Sequence, residues 1–313
     1  MLVSIITPTY NNGELLKRLY NSIKDQSYQN LKWIIIDDGS IDQTKEIVES
    51  FKDNKIVYVK TINKGPNSAR NTGERNIPKN SKFVVFIDSD DTFFDCYTLE
   101  KMVYKINATP KEIGAVAFTS IDSITGKNVC HLKEKEVIIN YIDSLKGDKF
   151  SGEFISIQKI EILSLSKWPE NVFGFELIRH WEINKKVKYL LTEEPGRIYF
   201  RNRIDNLTSP ETTLKRSKNM AFAINIILDK HGNVMKKEAR NRYGYFLFTQ
   251  GVYYTLSGLS LNSFKPLLKS MIIQQSIKYK FLSFCLLFFT LLPLSMKKKI
   301  YLFIRRKNYN YAI

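Results

Sequence analysis

At 313 residues the chain is long enough for one large domain or two ordinary ones, and 43% apolar with 25% charged residues is a globular composition. The net charge of +17 is concentrated: residues 239–313 hold twelve Lys/Arg and no acidic residue, which leaves +5 for the first 238. That distribution argues against a nucleic-acid binder with a basic groove across its main domain, and three widely spaced cysteines (Cys96, Cys130, Cys285) and three distant histidines (His131, His180, His231) rule out a disulfide framework, a Cys-rich zinc site and a His-rich metal cage.

The first 120 residues alternate between two periodicities. Residues 2–7 form a β-branched apolar run ended by Pro8, with no basic stretch before it, so no signal peptide is expected. Leu15, Leu16, Leu19 and Ile23 then recur at helical spacing behind the cap candidates Asn11 and Asn12. Residues 31–36, with Trp33 and three isoleucines, predict a second strand that stops at Asp37-Asp38-Gly39-Ser40. Asp42 can cap a helix with Ile47, Val48 and Phe51 on its inner face. Residues 56–59, 83–87 and 115–118 predict three more strands. Residues 121–195 read as mixed loops and helices, with a short helix at 175–183; 196–200 read as a late strand and 216–260 as helical. Strands apolar on both faces and separated by helix-length segments predict an α/β fold: a mostly parallel, Rossmann-like sheet with helices on both faces, plus a helical C-terminal tail.

In such sheets ligands bind beyond the carboxyl ends of the strands. The conspicuous polar residues collect there: Thr7-Pro8-Thr9-Tyr10-Asn11, Asp37-Asp38-Gly39-Ser40 and Asp88-Ser89-Asp90-Asp91. Three carboxylates within four residues repel one another unless a cation sits among them, and hard oxygen ligands without His or Cys suit Mg²⁺ or Mn²⁺ bridging a diphosphate. A solvated acidic turn that caps the next helix accounts for the same residues. Asp37 and Asp38 suit a strand-to-helix turn, or acceptors for a base N–H or a ribose hydroxyl. Between the third and fourth strands, residues 63–73 carry glycines and Arg70, which can meet phosphate oxygens or pair with one of the aspartates.

The run Val3-Ser-Ile-Ile-Thr-Pro-Thr-Tyr-Asn-Asn12, then Ile36-Asp-Asp-Gly-Ser40, then Asn63-x-Gly-x-x-x-Ala-Arg-Asn-x-Gly73, then Phe86-Ile-Asp-Ser-Asp-Asp91 resembles glycosyltransferase family 2, the inverting A-type glycosyltransferases, over residues 1–120 and more loosely to 208. The resemblance implies a hexosyl- or N-acetylhexosaminyltransferase with a nucleotide-sugar donor, usually a UDP-sugar, and Mn²⁺ or Mg²⁺ at the D-x-D. It places Thr7 and Tyr10 along the nucleotide pocket and Asp37 and Asp38 near uracil and ribose. Arg70 and Asn71 fall by the donor, Asp88 by ribose or metal, Asp90 as the main metal ligand and Asp91 as its assistant. The nucleotide-sugar domain is expected over 1–215 and a C-terminal region over 216–313.

Inverting transfer needs a carboxylate on the acceptor side to take the hydroxyl proton. In the family this is usually the aspartate of a Glu-Asp pair at a helix start. The corresponding stretch here, Trp168-Pro-Glu-Asn-Val-Phe-Gly-Phe-Glu176-Leu177, has no such pair. Glu176 is the nearest match; Glu170 and Glu193-Glu194 are the alternatives, and the helix dipole alone also favours an acid at position 176. Arg201 or Arg203 is expected to reach the diphosphate or acceptor, with residues 205–208 completing a family-like ending; His180 is read as packing. A nucleotidyltransferase would carry a Gly-rich basic loop where this chain has Thr7-Pro8-Thr9-Tyr10. A membrane-bound nucleotide-sugar-binding or scaffold subunit with a degenerate site is left open by the missing Glu-Asp pair.

Residues 281–294 carry no charge but are too few for a crossing helix, which needs about 20. Lys278 and Lys280 precede them, and Lys297, Lys298, Lys299, Arg305, Arg306 and Lys307 follow, so basic residues flank both sides. That pattern suits an in-plane or re-entrant helix on anionic headgroups; a packed C-terminal helix is the other reading. The tail and the resemblance together lead to a peripheral enzyme on the cytoplasmic face of a bacterial membrane. Its expected acceptor is a lipid-linked glycan of surface polysaccharide such as O-antigen or capsule.

Overall fold

The structure, a computed structural model, describes residues 1–200 and 209–310. The chain divides into two compact units, Met1–Arg201 and Asn202–Ile313.

The first unit opens with three β-α repeats and a fourth strand. The strands are β1 (Leu2–Thr9), β2 (Leu31–Asp37), β3 (Ile56–Lys60) and β4 (Ser81–Phe86); the helices between them are α1 (Gly13–Lys24), α2 (Thr44–Ser50) and α3 (Pro66–Arg75). After the short β5 (Thr92–Phe93) come α4 (Thr98–Asn107) and β6 (Ile113–Asp122). Then follow β7 (His131–Leu132), β8 (Glu136–Ile139), α5 (Tyr141–Lys146), β9 (Phe150–Ser151), β10 (Ile155–Lys159), α6 (Leu177–Asn184) and β11 (Lys188–Tyr199).

Among the described residues nine strands form one sheet in the order β3-β2-β1-β4-β10-β6-β11-β5, with β8 also on β11. β1 to β4, β6 and β11 run one way, while β10, β5 and β8 run against them, so the expected mostly parallel sheet is what forms. Burial on both faces explains why the first strands are nearly all apolar. Side chains alternate between faces. Ile5, Trp33 and Ile35 pack with Leu16 and Leu19 of α1 and Leu99 and Met102 of α4, whereas Ile6, Ile34 and Ile36 pack with Ala69 of α3. Chain order reverses at β1, with β2 on one side and β4 on the other. In such sheets ligands bind at this switch point, here beyond the carboxyl ends of β1, β2 and β4.

Residues 121–195 are a correction to the sequence reading. They contain β7 to β10 and the start of β11, not only loops and helices. These strands are short, and the alternation in Glu136-Val137-Ile138-Ile139 buries only Val137 and Ile139. β11 starts eight residues before Gly196 and carries register shifts around Pro195, which broke its apparent pattern.

The second unit is helical: α7 (Pro210–Lys215), α8 (Ser217–Glu238), α9 (Arg240–Leu256), α10 (Ser260–Ile273), α11 (Ile277–Phe289) and α12 (Leu294–Asn310). α9 and α10 approach closely at Gly251, where a Cβ would lie 2.5 Å from Leu267. Among the described residues no helix is long and apolar enough to cross a membrane.

Candidate active site

Each strand end at the switch point is organised by its own side chains. Asp37 accepts the Ser40 N–H at 2.7 Å and the Tyr58 hydroxyl at 2.5 Å. Asp38 accepts the N–H groups of Lys64 at 2.9 Å and Gly65 at 2.7 Å, which fixes the approach to α3. Both carboxylates are buried. Asn11, in a left-handed conformation, donates its N–H to Ser40 Oγ and accepts from the Ile41 N–H, tying the end of β1 to that of β2. Tyr10 beside it is exposed, whereas Thr7 is fully buried and accepts from Trp33 Nε1 at 2.9 Å, so it lies inside the fold.

After β4, Asp88 and Asp90 stay accessible, but Asp91 turns into the fold. Asp91 pairs with Arg197 of β11 at 2.9 Å and accepts the Phe200 N–H at 3.3 Å. Burial raises its pKa, Arg197 opposes this, and Asp88 and Asp90 add to it. Asp90 lies near the Arg18 guanidinium, which donates to the Asp90 carbonyl. Among the described residues no three His, Cys, Asp or Glu side chains form a metal-holding group. One or two carboxylates suffice for Mg²⁺ or Mn²⁺ when a substrate diphosphate supplies the remaining oxygens, and Asp88 and Asp90 fit that limited role.

Arg70 joins the segment after β4 to the start of α6. Its Nη2 meets Asp88 Oδ1 at 3.0 Å and its Nη1 meets Glu176 Oε1 at 3.0 Å. Burial works against the Arg70 charge, and Asp88 and Glu176 more than offset it. Glu176 immediately precedes α6, and its carbonyl accepts the His180 N–H. Its side chain remains 42% exposed, so the carboxylate can meet an incoming molecule. Glu170 instead accepts from Asn71 Nδ2 at 2.8 Å, and Asn71 also grips the backbone of Trp168. The structure thus places Asn71 against this loop. Glu194 pairs with Lys105 on the β11 side, so the Glu193-Glu194 pair is not brought to Arg70. His180 packs edge-on against Trp168 and Tyr189; desolvation first, then the guanidiniums of Arg179 and Arg70, push it down to about 3. Arg201, Arg203 and residues 205–208 lie outside the described residues.

The sequence reading missed Asn67, Glu74, Trp168, Arg179 and Arg197. The first two could have been seen: Asn67, Arg70, Asn71 and Glu74 recur at i, i+3, i+4 and i+7 on α3, an unbroken polar stripe.

Comparison with known proteins places these observations. The family described as glycosyl transferase family 2 matches residues 4–157. The chain is 28% identical over 311 residues to the GalNAc(5)-diNAcBac-PP-undecaprenol beta-1,3-glucosyltransferase of Campylobacter jejuni, covering 95% of this chain and 96% of that protein. Residues 1–349 of S. aureus TarS in complex with UDP-GlcNAc share the fold with a TM-score of 0.65 at 19% identity, over 100% of this chain and 92% of that one. The mannosyltransferase PcManGT from Pyrobaculum calidifontis, in complex with GDP-Man and Mn²⁺, gives a TM-score of 0.52 at 18% identity, over 96% and 84%. These likenesses bear out the A-type α/β architecture.

Proposed function

Because the chain carries a glycosyltransferase family 2 domain, we propose that it is an inverting transferase acting on a UDP-sugar and a hydroxyl of a lipid-linked glycan in surface polysaccharide synthesis. The observation that carries this reading is the Arg70 bridge between Asp88 at the switch point and Glu176 at the start of α6. It holds an accessible carboxylate beside the crevice that takes a nucleotide in such sheets. Glu176 takes the proton of the acceptor hydroxyl as its oxygen attacks the anomeric carbon from the face opposite the leaving UDP. Tyr10, Asp37, Asp38 and Asp88 surround the donor, with Thr7 and Asn71 shaping the wall behind it. Asp90 would be the main metal ligand, whereas Asp91, expected to assist it there, is committed to Arg197 and the Phe200 N–H and so would act by anchoring the D-x-D loop. A bound Mn²⁺ or Mg²⁺ would supply charge neutralisation on the diphosphate. We assign transfer to residues 1–215 and attachment to the cytoplasmic face of a membrane to residues 216–313. The C. jejuni relative, named for a lipid-linked substrate, and the UDP-GlcNAc complex of TarS support the acceptor and donor classes.

The test is a donor screen with full-length protein, Mn²⁺, lipid-linked acceptors and a panel of UDP-sugars with GDP-mannose as comparison, reading released nucleotide and the anomeric configuration of the product by NMR. Transfer from a UDP-sugar with inversion is expected. Retention would remove the single-displacement role of Glu176, and nucleotide binding without any turnover would favour a binding subunit.

A further inference from the structure

The polar stripe of α3 does more than present Arg70. Asn67 Nδ2 points at the carbonyls of Pro169, Val172 and Gly174, at 3.1, 3.0 and 3.0 Å. Asn71 both donates to the Trp168 carbonyl and accepts its N–H. One turn on, Glu74 Oε1 accepts from Trp168 Nε1 and from Arg179 Nη2, both at 2.8 Å. Arg179 is fully buried, with Nε on the Ser166 carbonyl at 3.2 Å. The guanidiniums of Arg70 and Arg179 both lie over the Trp168 ring, at 5.0 and 4.5 Å from its centroid. Arg70 Nη1 also lies 3.3 Å from Asn67 Oδ1, while its Nε is buried without a hydrogen-bond partner and the ring lies against the guanidinium. The chain then turns through two successive left-handed residues, Gly174 and Phe175, directly before Glu176. A non-glycine residue keeps that conformation only where its surroundings over-determine it.

We propose that Trp168 is a positioning residue for transfer: its ring sets the place of the Arg70 guanidinium and so aims the Glu176 carboxylate, while Glu74 and Arg179 hold the ring. This rests on Glu176 being the base. Trp168 itself touches no reacting atom. Its effect belongs in turnover more than in donor affinity, since small misplacement of a reacting group costs rate steeply.

W168F keeps an aromatic face for the guanidiniums but loses the indole N–H bond and part of the ring; W168L loses the aromatic face as well. W168L is expected to lower kcat roughly 10–100-fold with the donor KM within about twofold, and W168F to recover most of that loss. Hydrogen–deuterium exchange supplies a readout without catalysis: residues 168–176 should exchange faster in W168L than in the wild type, with β1 and β4 unchanged. Should W168L not fold, E74Q makes the same comparison, because it keeps an acceptor oxygen but removes the charge that holds Arg179. Normal kcat per folded molecule in W168L or E74Q, equal losses in W168F and W168L, or unchanged exchange over 168–176 would each overturn the proposal. A wild type that transfers no sugar while W168L still loosens the loop would sink the transferase reading and leave the positioning contact standing.

Discussion

Three neighbouring aspartates at the end of β4 have three different surroundings, and this decides what each substitution does. Asp91 is buried against Arg197, with side-chain exposures of 2% and 9%. Asp91→Ala strands a buried guanidinium, which costs about 3–5 kcal/mol. Urea unfolding should show that loss directly. Asp90→Ala should change stability by less than about 1 kcal/mol, the usual worth of an accessible charge pair, yet abolish Mn²⁺-dependent UDP binding and turnover. Normal transfer by Asp90→Ala in EDTA would end the metal role. Glu176→Gln keeps an oxygen for Arg70 Nη1 but cannot accept a proton. It should lower turnover by about 10²–10⁴ while UDP binding, measured by calorimetry, survives. Near-normal turnover would move the base to Glu170, which sits in the same loop. That Asp88 and Asp90 follow a strand and Glu176 precedes a helix was legible from the sequence, because each is a local pattern. The inward turn of Asp91 was not, since its partner lies 106 residues away on β11.

At the scale of elements, the contact between α3 and β1 places Arg70 over the strand ends. It depends on Gly73, where a Cβ would stand 2.5 Å from Cγ2 of the fully buried Ile6. Alanine favours a helix over glycine by about 1 kcal/mol, but overpacking a core costs roughly 1–3 kcal/mol, so Gly73→Ala should be net destabilising. Adding Ile6→Ala, which removes Cγ2, should cost less in the Gly73→Ala background than in the wild type when read in a double-mutant cycle, because the two positions touch. Strictly additive effects would show that α3 shifts freely on the sheet. Five strands of the first 120 residues and the helices α1 and α2 were legible because both sheet faces are covered, which writes long apolar runs into the chain; β5 and α4 were not read. β8 and β10 were not, because short strands that pair antiparallel in the middle or on the edge of a mixed sheet need only two or three buried residues each. The loop 168–174 was invisible for another reason: its shape is dictated by α3 side chains about a hundred residues earlier in the chain.

On the scale of the whole molecule, charge and apolar exposure coincide in the acid-free C-terminal region. In α11 the buried side chain is Ser283, bonded to Ser270 Oγ at 3.2 Å, while Ile277, Phe281, Phe284 and Phe288 face solvent at helical spacing and Leu291 continues the line. A helix packed for stability would carry the opposite arrangement. Phe281 is 64% and Phe288 59% exposed, beside Lys278 and Lys280 and ahead of Lys298 and Lys299. The proposed attachment to an anionic bilayer would answer both features. Burial of each phenyl ring contributes about 1–2 kcal/mol once its existing cover is allowed for, and each nearby Lys or Arg adds about 1 kcal/mol. Salt screens only the second contribution. Full-length protein should therefore bind phosphatidylglycerol vesicles better than phosphatidylcholine vesicles, and high salt should weaken but not abolish this. Replacing Phe281, Phe284 and Phe288 together by serine removes about 3–6 kcal/mol of burial, so vesicle binding should fall at least about a hundredfold at any salt concentration. Their side chains point away from the helical core, so the helical signal and melting temperature should hold. A triple variant that still binds vesicles would overturn the membrane assignment. So would a wild-type dimer, seen by analytical ultracentrifugation, that falls apart on the same substitutions, since a second copy of the chain would then be what covers this face.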